Sequence, residues 1–415
     1  MTADVTNEVQ QPTLGRRRVL AFGMLTAVMA SGYGVMFTVL DDFRERYGIA
    51  EGALGLIVGV GFGSSFVAQV FLAPVADRGH ARRLVMLGIL TNLVGLLVLG
   101  FGTNLAVLLL GRVISGLGLG MAFPAIRRIV ILGDPDRLGD NLGLLLACDV
   151  AGFAAGAALS ALLVGPLGLP APFIVIAVTS VACLPLVMRI RVDEAVSDGV
   201  PAARFAFDLL RLRPYLAAVC MGAALFIMIG TFDALWAVVL DDLGSAEWLA
   251  NIGVTVFALP LIFFGEFGGR LAQRVGPFRL GPIGLLLGAG YMALYGVMPG
   301  AVSMLVVATI HAVSDGLTVS STAVAVGMVT PNDRHAGAQG LLGGVQTLTA
   351  GTVAVIAGLL YQYHGRVVAY ATCSVIMVVL VVASWQLSGP QWRARRGTSA
   401  DGAHSDPANA VTGHA

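Results

Sequence analysis

Lysine is absent from this chain, and all 25 of its basic residues are arginine. A Walker A phosphate loop needs a lysine that reaches the nucleotide phosphates, so that class of nucleotide-binding enzyme is excluded. Chemistry through a lysine Schiff base is excluded for the same reason. The net charge of +1 argues against a nucleic-acid partner, because such a partner usually requires a basic excess.

Charged residues of both signs are scarce. They make up 12% of the 415 residues, against roughly 25% in an ordinary soluble domain. Hydrophobic residues make up 57%, and the mean hydropathy is +0.86, so most of the surface does not face water. The four cysteines lie in apolar runs without a C-x-x-C spacing. We therefore expect no disulfide, metal site or cofactor.

Long hydrophobic runs are what the chain does contain. A run of about 20 residues crosses a bilayer, and its backbone must be helical because lipid offers no hydrogen-bond partner. The first run follows Arg16–Arg18 and is too long for a cleaved signal peptide, so we interpret it as a retained span. The predicted spans number twelve: 19–41, 53–74, 84–101, 104–126, 141–164, 170–188, 214–240, 250–269, 280–298, 301–328, 339–361 and 367–387.

The positions of the arginines orient these spans. With the N-terminus in the cytoplasm, 21 arginines fall in cytoplasmic segments and 3 fall outside. The positive-inside rule predicts this asymmetry, and an odd number of spans would destroy it. We therefore expect a multi-pass protein of the plasma (inner) membrane with both termini in the cytoplasm.

The two halves of the chain resemble each other. Leu-Asp-Asp at 40–42 matches Leu-Asp-Asp at 240–242, and Ala-Asp-Arg at 76–78 matches Ala-Gln-Arg at 272–274. Similar elements at similar depth indicate an internal duplication. The predicted units are a cytoplasmic N-terminal tail (1–18), a six-helix bundle (19–188), a cytoplasmic linker (189–213), a second six-helix bundle (214–387) and a disordered cytoplasmic tail (388–415).

A motif between spans two and three carries a family resemblance. Residues 73–83 read APVADRGHARR, and residues 269–276 read GRLAQRVG. The first stretch resembles the signature G-x-L-A-D-R-x-G-R-R of the major facilitator superfamily: Asp77, Arg78 and Arg82 fit, while Ala73 and His80 replace glycines. The resemblance covers about 19–387. It implies an all-α membrane fold of two pseudo-symmetric six-helix bundles and a transporter rather than an enzyme.

The resemblance assigns roles to several residues. The acidic residue of the motif is a conformational latch in this family, which implies that role for Asp77, with Arg78 and Arg82 beside it. A solvated loop carboxylate is the alternative interpretation. Span four reads R-x-x-x-G-x-G from Arg112, and in proton-coupled members this arginine is linked to proton movement. Snorkelling of Arg112 to the outer interface is the alternative.

Span five contains glycines at the intervals typical of efflux members, with Ala157 in place of a proline. Small residues at these intervals let helices approach closely and move against each other, and the match favours export. The predicted packing glycines are Gly143, Gly152 and Gly156.

Ionisable residues within other spans suggest proton coupling. An intramembrane carboxylate must be paired, protonated or hydrated. His311 and Asp315 are four residues apart and share one helix face. The hypothesis is that they couple proton movement to transport together with Arg112 or Asp149. A structural polar cluster is the alternative.

Aromatic residues occur at matching depth in spans one and seven. Tyr33 and Phe37 in span one correspond to Phe232, Asp233 and Trp236 in span seven. Aromatic faces with one carboxylate predict a central cavity for an amphipathic or cationic ligand. Interfacial anchoring of the aromatic rings is the alternative.

Together these features predict a secondary transporter, most simply a proton-coupled exporter of small organic molecules or drugs that works by alternating access. Its partners would be the substrate, protons and the lipid bilayer, and we expect a monomer. A proton-linked metabolite or sugar transporter, working in either direction, is the first alternative. A non-transporting membrane receptor or scaffold is the second. No nucleophile–base arrangement supports an enzyme.

Overall fold

The computed structural model describes residues 14–189, 205–245 and 247–392, and the regular structure in these ranges is helical. The first half contains α1 (Arg16–Thr38), α2 (Leu40–Tyr47), α3 (Glu51–Val67), α4 (Ala81–Phe101), α5 (Leu105–Gly133), α6 (Leu138–Leu167) and α7 (Pro170–Arg189). The second half contains α8 (Arg213–Asp242), α9 (Glu247–Val275), α10 (Pro277–Val297), α11 (Ala301–Thr318), α12 (Ser321–Val329) and α13 (His335–Ser388). A π-helical segment, Ala68–Leu72, and a 3-10 helix, Ala73–Arg78, extend α3.

Nine helical segments of the described chain are long and apolar enough to cross a membrane. The longest, Asn332–Gln391, contains Gly365 at φ 81° and ψ 176°, which interrupts the helix. Glycine tolerates this positive φ because it lacks a Cβ. The interruption separates the predicted spans 339–361 and 367–387. The total of twelve spans stays a prediction.

Helix α5 is longer than the predicted span four. Helix α5 continues past residue 126 to Gly133, so Arg127 and Arg128 lie on a helix and not in a loop. Hydropathy marks where apolar residues end, whereas the helix continues because its last two turns are packed against other parts of the protein. Arg128 is 1% exposed, which shows how closely this region is packed.

Parts of the predicted units fall outside the described residues, namely 1–13, 190–204, 246 and 393–415. The described end of the predicted linker contains a 3-10 helix, Phe207–Arg211. Large apolar side chains remain exposed on the outer surface of the bundle, among them Leu162 at 71% and Phe263 at 73%. Such a surface suits contact with lipid.

The two halves meet at one end of the bundle. This end is where α1, α4, α6, α8, α10 and α13 begin, and we call it the arginine-rich face because it carries Arg16, Arg128, Arg137, Arg270 and Arg334. Here α6 packs against α9 so closely that a Cβ on Gly143 would overlap the carbonyl of Gly265. Towards the other end, a Cβ on Gly55 or Gly59 of α3 would meet nothing within 4 Å. The halves are therefore in closest contact at the arginine-rich face.

Candidate functional site

A cavity of about 320 Å³ lies between the two halves. Small-molecule sites usually measure roughly 300–1,000 Å³. Helices α1, α3, α5 and α6 of the first half and α8 and α13 of the second half form its walls. The polar and aromatic residues that line it are Tyr33, Phe62, Ser65, Gln69, Arg112, Phe123, Arg127, Asp149, Phe153, Phe226, Gln346 and Thr347.

Arg112 is the most deeply buried charged residue of this wall, with 2% of its surface exposed. Its guanidinium carbon lies 5.1 Å from the centre of the Tyr33 ring, a cation–π distance. Its Nε and Nη2 atoms have no hydrogen-bond partner in the described part of the chain. Gly61 makes room for this group, because a Cβ there would overlap the guanidinium.

Arg127 and Asp149 form a second charged group in the cavity. Both also line a smaller adjoining cavity of about 100 Å³, and they interact electrostatically. Arg112, Arg127 and Asp149 therefore face the same space from α5 and α6. The structure brings together Arg112 and Asp149 of the predicted coupling set.

His311 and Asp315 lie apart from this cavity, inside the second half. Nε2 of His311 is 3.4 Å from Oδ2 of Asp315, and Nδ1 of His311 is 3.0 Å from the Tyr295 hydroxyl. The Met228 sulfur is 3.2 Å from Nε2. His311 is 0% exposed and Asp315 is 3% exposed. A neutral His311 can donate from Nε2 to Asp315 and accept from Tyr295 at Nδ1.

The five residues predicted to form the substrate cavity are distributed over different places. Tyr33 lines the cavity. The exposed Phe37 packs against the Tyr33 ring, with the two ring centres 4.9 Å apart. Phe232 and Trp236 stack on each other inside the second half, with centres 4.8 Å apart, and both are buried. The side chain of Asp233 is exposed and is near enough to interact electrostatically with Tyr33.

Asp77 joins the two halves at the arginine-rich face. Its Oδ1 accepts hydrogen bonds from Nε of Arg128 at 3.0 Å and from the backbone N–H of Ala336 at 2.9 Å. Its Oδ2 accepts from the N–H of Gly337 at 2.7 Å. These N–H groups belong to the first turn of α13, where a helix has unpaired donors and a positive dipole end. Asp77 thus caps a helix of the other half, and it is 4% exposed.

Gln273, in the second half, makes the corresponding contact to a helix of the first half. Its Oε1 accepts from the N–H of Gly139 at 2.6 Å, in the first turn of α6. Its Nε2 donates to the carbonyls of Pro135 at 3.4 Å and Asp136 at 3.1 Å. Gln273 occupies the position that Asp77 occupies in the first half. Each half therefore caps a helix of the other half.

The two arginines predicted beside Asp77 do not supply its ion pair, which comes from Arg128. Arg82 donates from Nη2 to the carbonyl of Met188 at the end of α7. Arg78 ends the 3-10 helix Ala73–Arg78 and makes its own polar contacts.

The three predicted packing glycines contact different helices. Gly143 contacts α9 of the other half, whereas a Cβ on Gly152 or Gly156 would overlap α1 in the same half.

The described end of the linker is fixed to the same face. Arg334 donates to both carboxylate oxygens of Asp208, at 2.9 and 2.6 Å, and to the carbonyl of Phe205 at 3.0 Å. These hydrogen bonds hold the pKa of Asp208 below its ordinary value. Ala206 packs beside Gly337, where Asp77 caps α13. The linker therefore contacts the capped helix.

The model of the Major Facilitator Superfamily matches residues 20–244 and 226–410. The chain belongs to the major facilitator superfamily. It is accordingly a multi-pass membrane transporter with the fold of that family.

Relatives of this transporter include two resistance proteins. Multidrug resistance protein 2 of Bacillus subtilis (strain 168) is 23% identical over 296 residues, which is 66% of this chain and 72% of that protein. Quinolone resistance protein NorA of Staphylococcus aureus (strain MRSA252) is 27% identical over 126 residues, 30% of this chain and 32% of that protein.

Two solved structures share the fold at a TM-score of 0.71. The human organic anion transporter MFSD10 (TETRAN) is 13% identical and is matched over 89% of this chain and 99% of that chain. FucP, a superfamily transporter captured in the outward conformation, is 17% identical and is matched over 89% and 98%. At these identities the likeness shows the fold alone.

Three residues of this transporter's site and contacts were missed by sequence reasoning. Arg127 and Arg128 were counted only among the arginines of cytoplasmic segments, and Gln273 only as the residue that matches Asp77 in the second half. The spacing from Arg112 to Arg127 covers about four helical turns, which a longer span four would have placed on one helix. For Gln273 the signal was present, because a glutamine in the duplicated motif keeps a hydrogen-bond acceptor.

Proposed function

We propose that this transporter exports small organic molecules in exchange for protons, by alternating access to the cavity between its halves. The observation that carries the proposal is the cavity itself, which is lined from both halves and lies beside a face closed by reciprocal caps. A site between two bodies can be exposed to each side in turn when those bodies rock against each other. On the arginine distribution, the closed face is cytoplasmic and both termini lie there.

The closing contacts differ greatly in expected strength. Arg16 to Glu266, at 2.7 Å, also crosses between the halves, but its arginine side chain is 58% exposed, and exposed ion pairs contribute only about 0–1 kcal/mol. Asp77 is buried and accepts three hydrogen bonds, so removing its charge leaves Arg128 unpaired. This supports Asp77 as the principal latch, with Gln273 as its weaker counterpart.

Proton exchange requires groups that gain and lose a proton during the cycle. Asp149 faces the cavity beside Arg127, so its protonation changes the charge that the substrate meets. His311 and Asp315 form a second candidate group inside the second half, bordered by Tyr295 and Met228. The two groups lie in different halves, and we propose that relative movement of the halves alters their surroundings.

Export is favoured over import by the names of the two resistance proteins and by the glycine spacing of α6. We further propose a monomer in the plasma membrane. A proton-linked metabolite or sugar transporter is the alternative, since family members share this architecture. A receptor or scaffold would show no flux at all.

The first prediction tests proton coupling. Purified protein in liposomes with an acidic interior should accumulate a fluorescent quinolone, and a protonophore should abolish the accumulation. Asp149→Asn and Asp315→Asn should each uncouple flux from the pH gradient, because an amide cannot exchange a proton. Asp41→Asn, in α2 near the opposite end, is the matched control. Full coupling in both variants would exclude these carboxylates, and flux indifferent to the gradient would exclude proton exchange.

A further inference from the structure

The charges that face the large cavity are unevenly paired. Among the described residues that line it, Arg112 and Arg127 are cationic and Asp149 is anionic. Arg127 and Asp149 interact with each other. No ion pair joins Arg112 to a carboxylate in the described part of the chain, and its closest named partner is the face of Tyr33. The wall therefore carries one uncompensated cation.

An unpaired buried cation is costly in a membrane protein and usually marks a ligand or ion pathway. Arg112 is 2% exposed, so its charge is held away from the outer surface of the protein. Its unpaired donors are Nε and Nη2. These two N–H groups lie on one edge of the guanidinium, and that edge binds both oxygens of a carboxylate in parallel.

The surroundings of Arg112 define the rest of the ligand. The Tyr33 ring has Phe62 and Phe153 as neighbours, with centres at 5.7 and 5.8 Å, and all three rings line the cavity. We propose that the transported molecule has a carboxylate bound side-on by Arg112 and an aromatic body against these rings. The proposal rests on the cavity being the transport site. Of the amphipathic or cationic ligand expected from the sequence, it keeps the amphipathic character and replaces the cation, because Asp233 is not among the residues that line this cavity.

A competing arrangement would pair Arg112 with Asp149 in another state of the transporter, leaving no need for an anionic ligand. The two arrangements differ in ligand preference. If Arg112 takes an internal partner, a carboxylate on the ligand gains nothing. If Arg112 binds the ligand, removing the carboxylate loses a charge-assisted, two-point contact.

The test compares three probes that share one fluorescent aromatic body, with full-length protein in detergent. Dansylglycine carries a carboxylate, dansylamide is neutral, and dansylethylenediamine carries an amine. Binding is followed by the rise in dansyl fluorescence. Dansylglycine should bind about 10- to 100-fold more tightly than dansylamide, as expected for hydrogen bonds to a charged group, and the amine should bind most weakly. Equal affinities, or a preference for the amine, would overturn the proposal.

Variants locate the effect at Arg112. Arg112→Gln should abolish the preference for dansylglycine, and Arg112→Lys should keep part of it because lysine provides a charge without the paired edge. Arg46→Gln in α2 is the control and should behave as wild type. If Arg112→Gln does not fold, Gly61→Ala displaces the guanidinium while keeping its charge. An unchanged preference in either Arg112→Gln or Gly61→Ala would overturn the proposal.

Failure here differs from failure of the proposed function. A dansylglycine preference without proton-driven flux would leave this inference standing and reject proton-coupled export. Proton-driven flux of neutral compounds, with no carboxylate preference, would do the reverse.

Discussion

At the scale of single residues, the decisive feature is an anion that caps a helix belonging to the other half. Asp77 satisfies two N–H groups of α13 and pairs with Arg128, which is 1% exposed. Removing one partner of a buried pair typically costs about 3–5 kcal/mol, because the remaining charge is left without compensation. The buried pair is therefore expected to contribute more to the stability of the closed face than the exposed ion pairs do.

The prediction at this scale is a double-mutant cycle. Asp77→Asn should lower the thermal unfolding temperature in detergent, since the amide keeps one acceptor but leaves Arg128 uncompensated. Combining it with Arg128→Met removes the stranded charge and should recover part of the loss, giving a coupling energy of about 0.5–3 kcal/mol. Additive effects of the two substitutions would show that the pair contributes nothing beyond its separate residues.

At the scale of elements, the linker and the π-helical segment attach flanking parts of the chain to the closed face and the cavity. Gln69, in the segment Ala68–Leu72, donates to Ser65 at 3.0 Å and to Thr347 of the other half at 3.4 Å. Phe71, in the same segment, packs against Phe205 of the linker, and their ring centres are 5.5 Å apart. Movements of α3 and of the linker are therefore expected to be coupled.

The linker contact should depend on pH. Arg334 lowers the pKa of Asp208, so the pair contributes fully above the ordinary aspartate value of about 4 and is lost as the pH falls through the lower folded value. The protection factor for hydrogen–deuterium exchange at 205–211, which corrects for the base-catalysed intrinsic rate, should fall at the acid end of the range. Arg334→Gln should show the low protection factor at every pH, with Arg211→Gln as control. A wild-type protection factor that does not change with pH would contradict the prediction.

The sequence predicted the helices well because lipid offers the backbone no hydrogen-bond partner, so a long apolar run must be helical. Each such run can be recognised from its own residues. It predicted less of the site for a physical reason. The partner of Asp77 is the start of α13, far along the chain, and no local pattern encodes that contact. Phe232 and Trp236 matched Tyr33 and Phe37 in depth, but depth does not say which face of a helix points inward. Their stacking inside the second half required the three-dimensional packing.

At the scale of the whole molecule, closure depends on how closely α6 and α9 approach. Gly139 and Gly143 of α6 meet Gly269 and Gly265 of α9, so backbone lies on backbone between the halves. Elsewhere on α6, Gly156 makes an equally tight contact with Ser31 of α1, inside one half. Gly143 thus marks packing between the halves, which breaks in the proposed transport cycle. Gly156 marks packing within one half, which persists through that cycle.

This separation gives the last prediction. A Cβ at Gly265 would lie 3.0 Å from the Gly143 carbonyl, a mild clash that exists only while the arginine-rich face is closed. Gly265→Ala should destabilise that state by about 1–3 kcal/mol, which shifts a two-state equilibrium by roughly 5- to 150-fold. A cysteine at Gly59, which has open space around it, should then react more slowly with a membrane-impermeant maleimide, measured above the signal of the four native cysteines. Gly100→Ala is the matched control: its Cβ would also lie 3.0 Å from its nearest neighbour, Phe173 of the same half, and crowding within one half lowers stability without favouring either state. Equal slowing in both variants would mean that the α6–α9 contact does not govern closure.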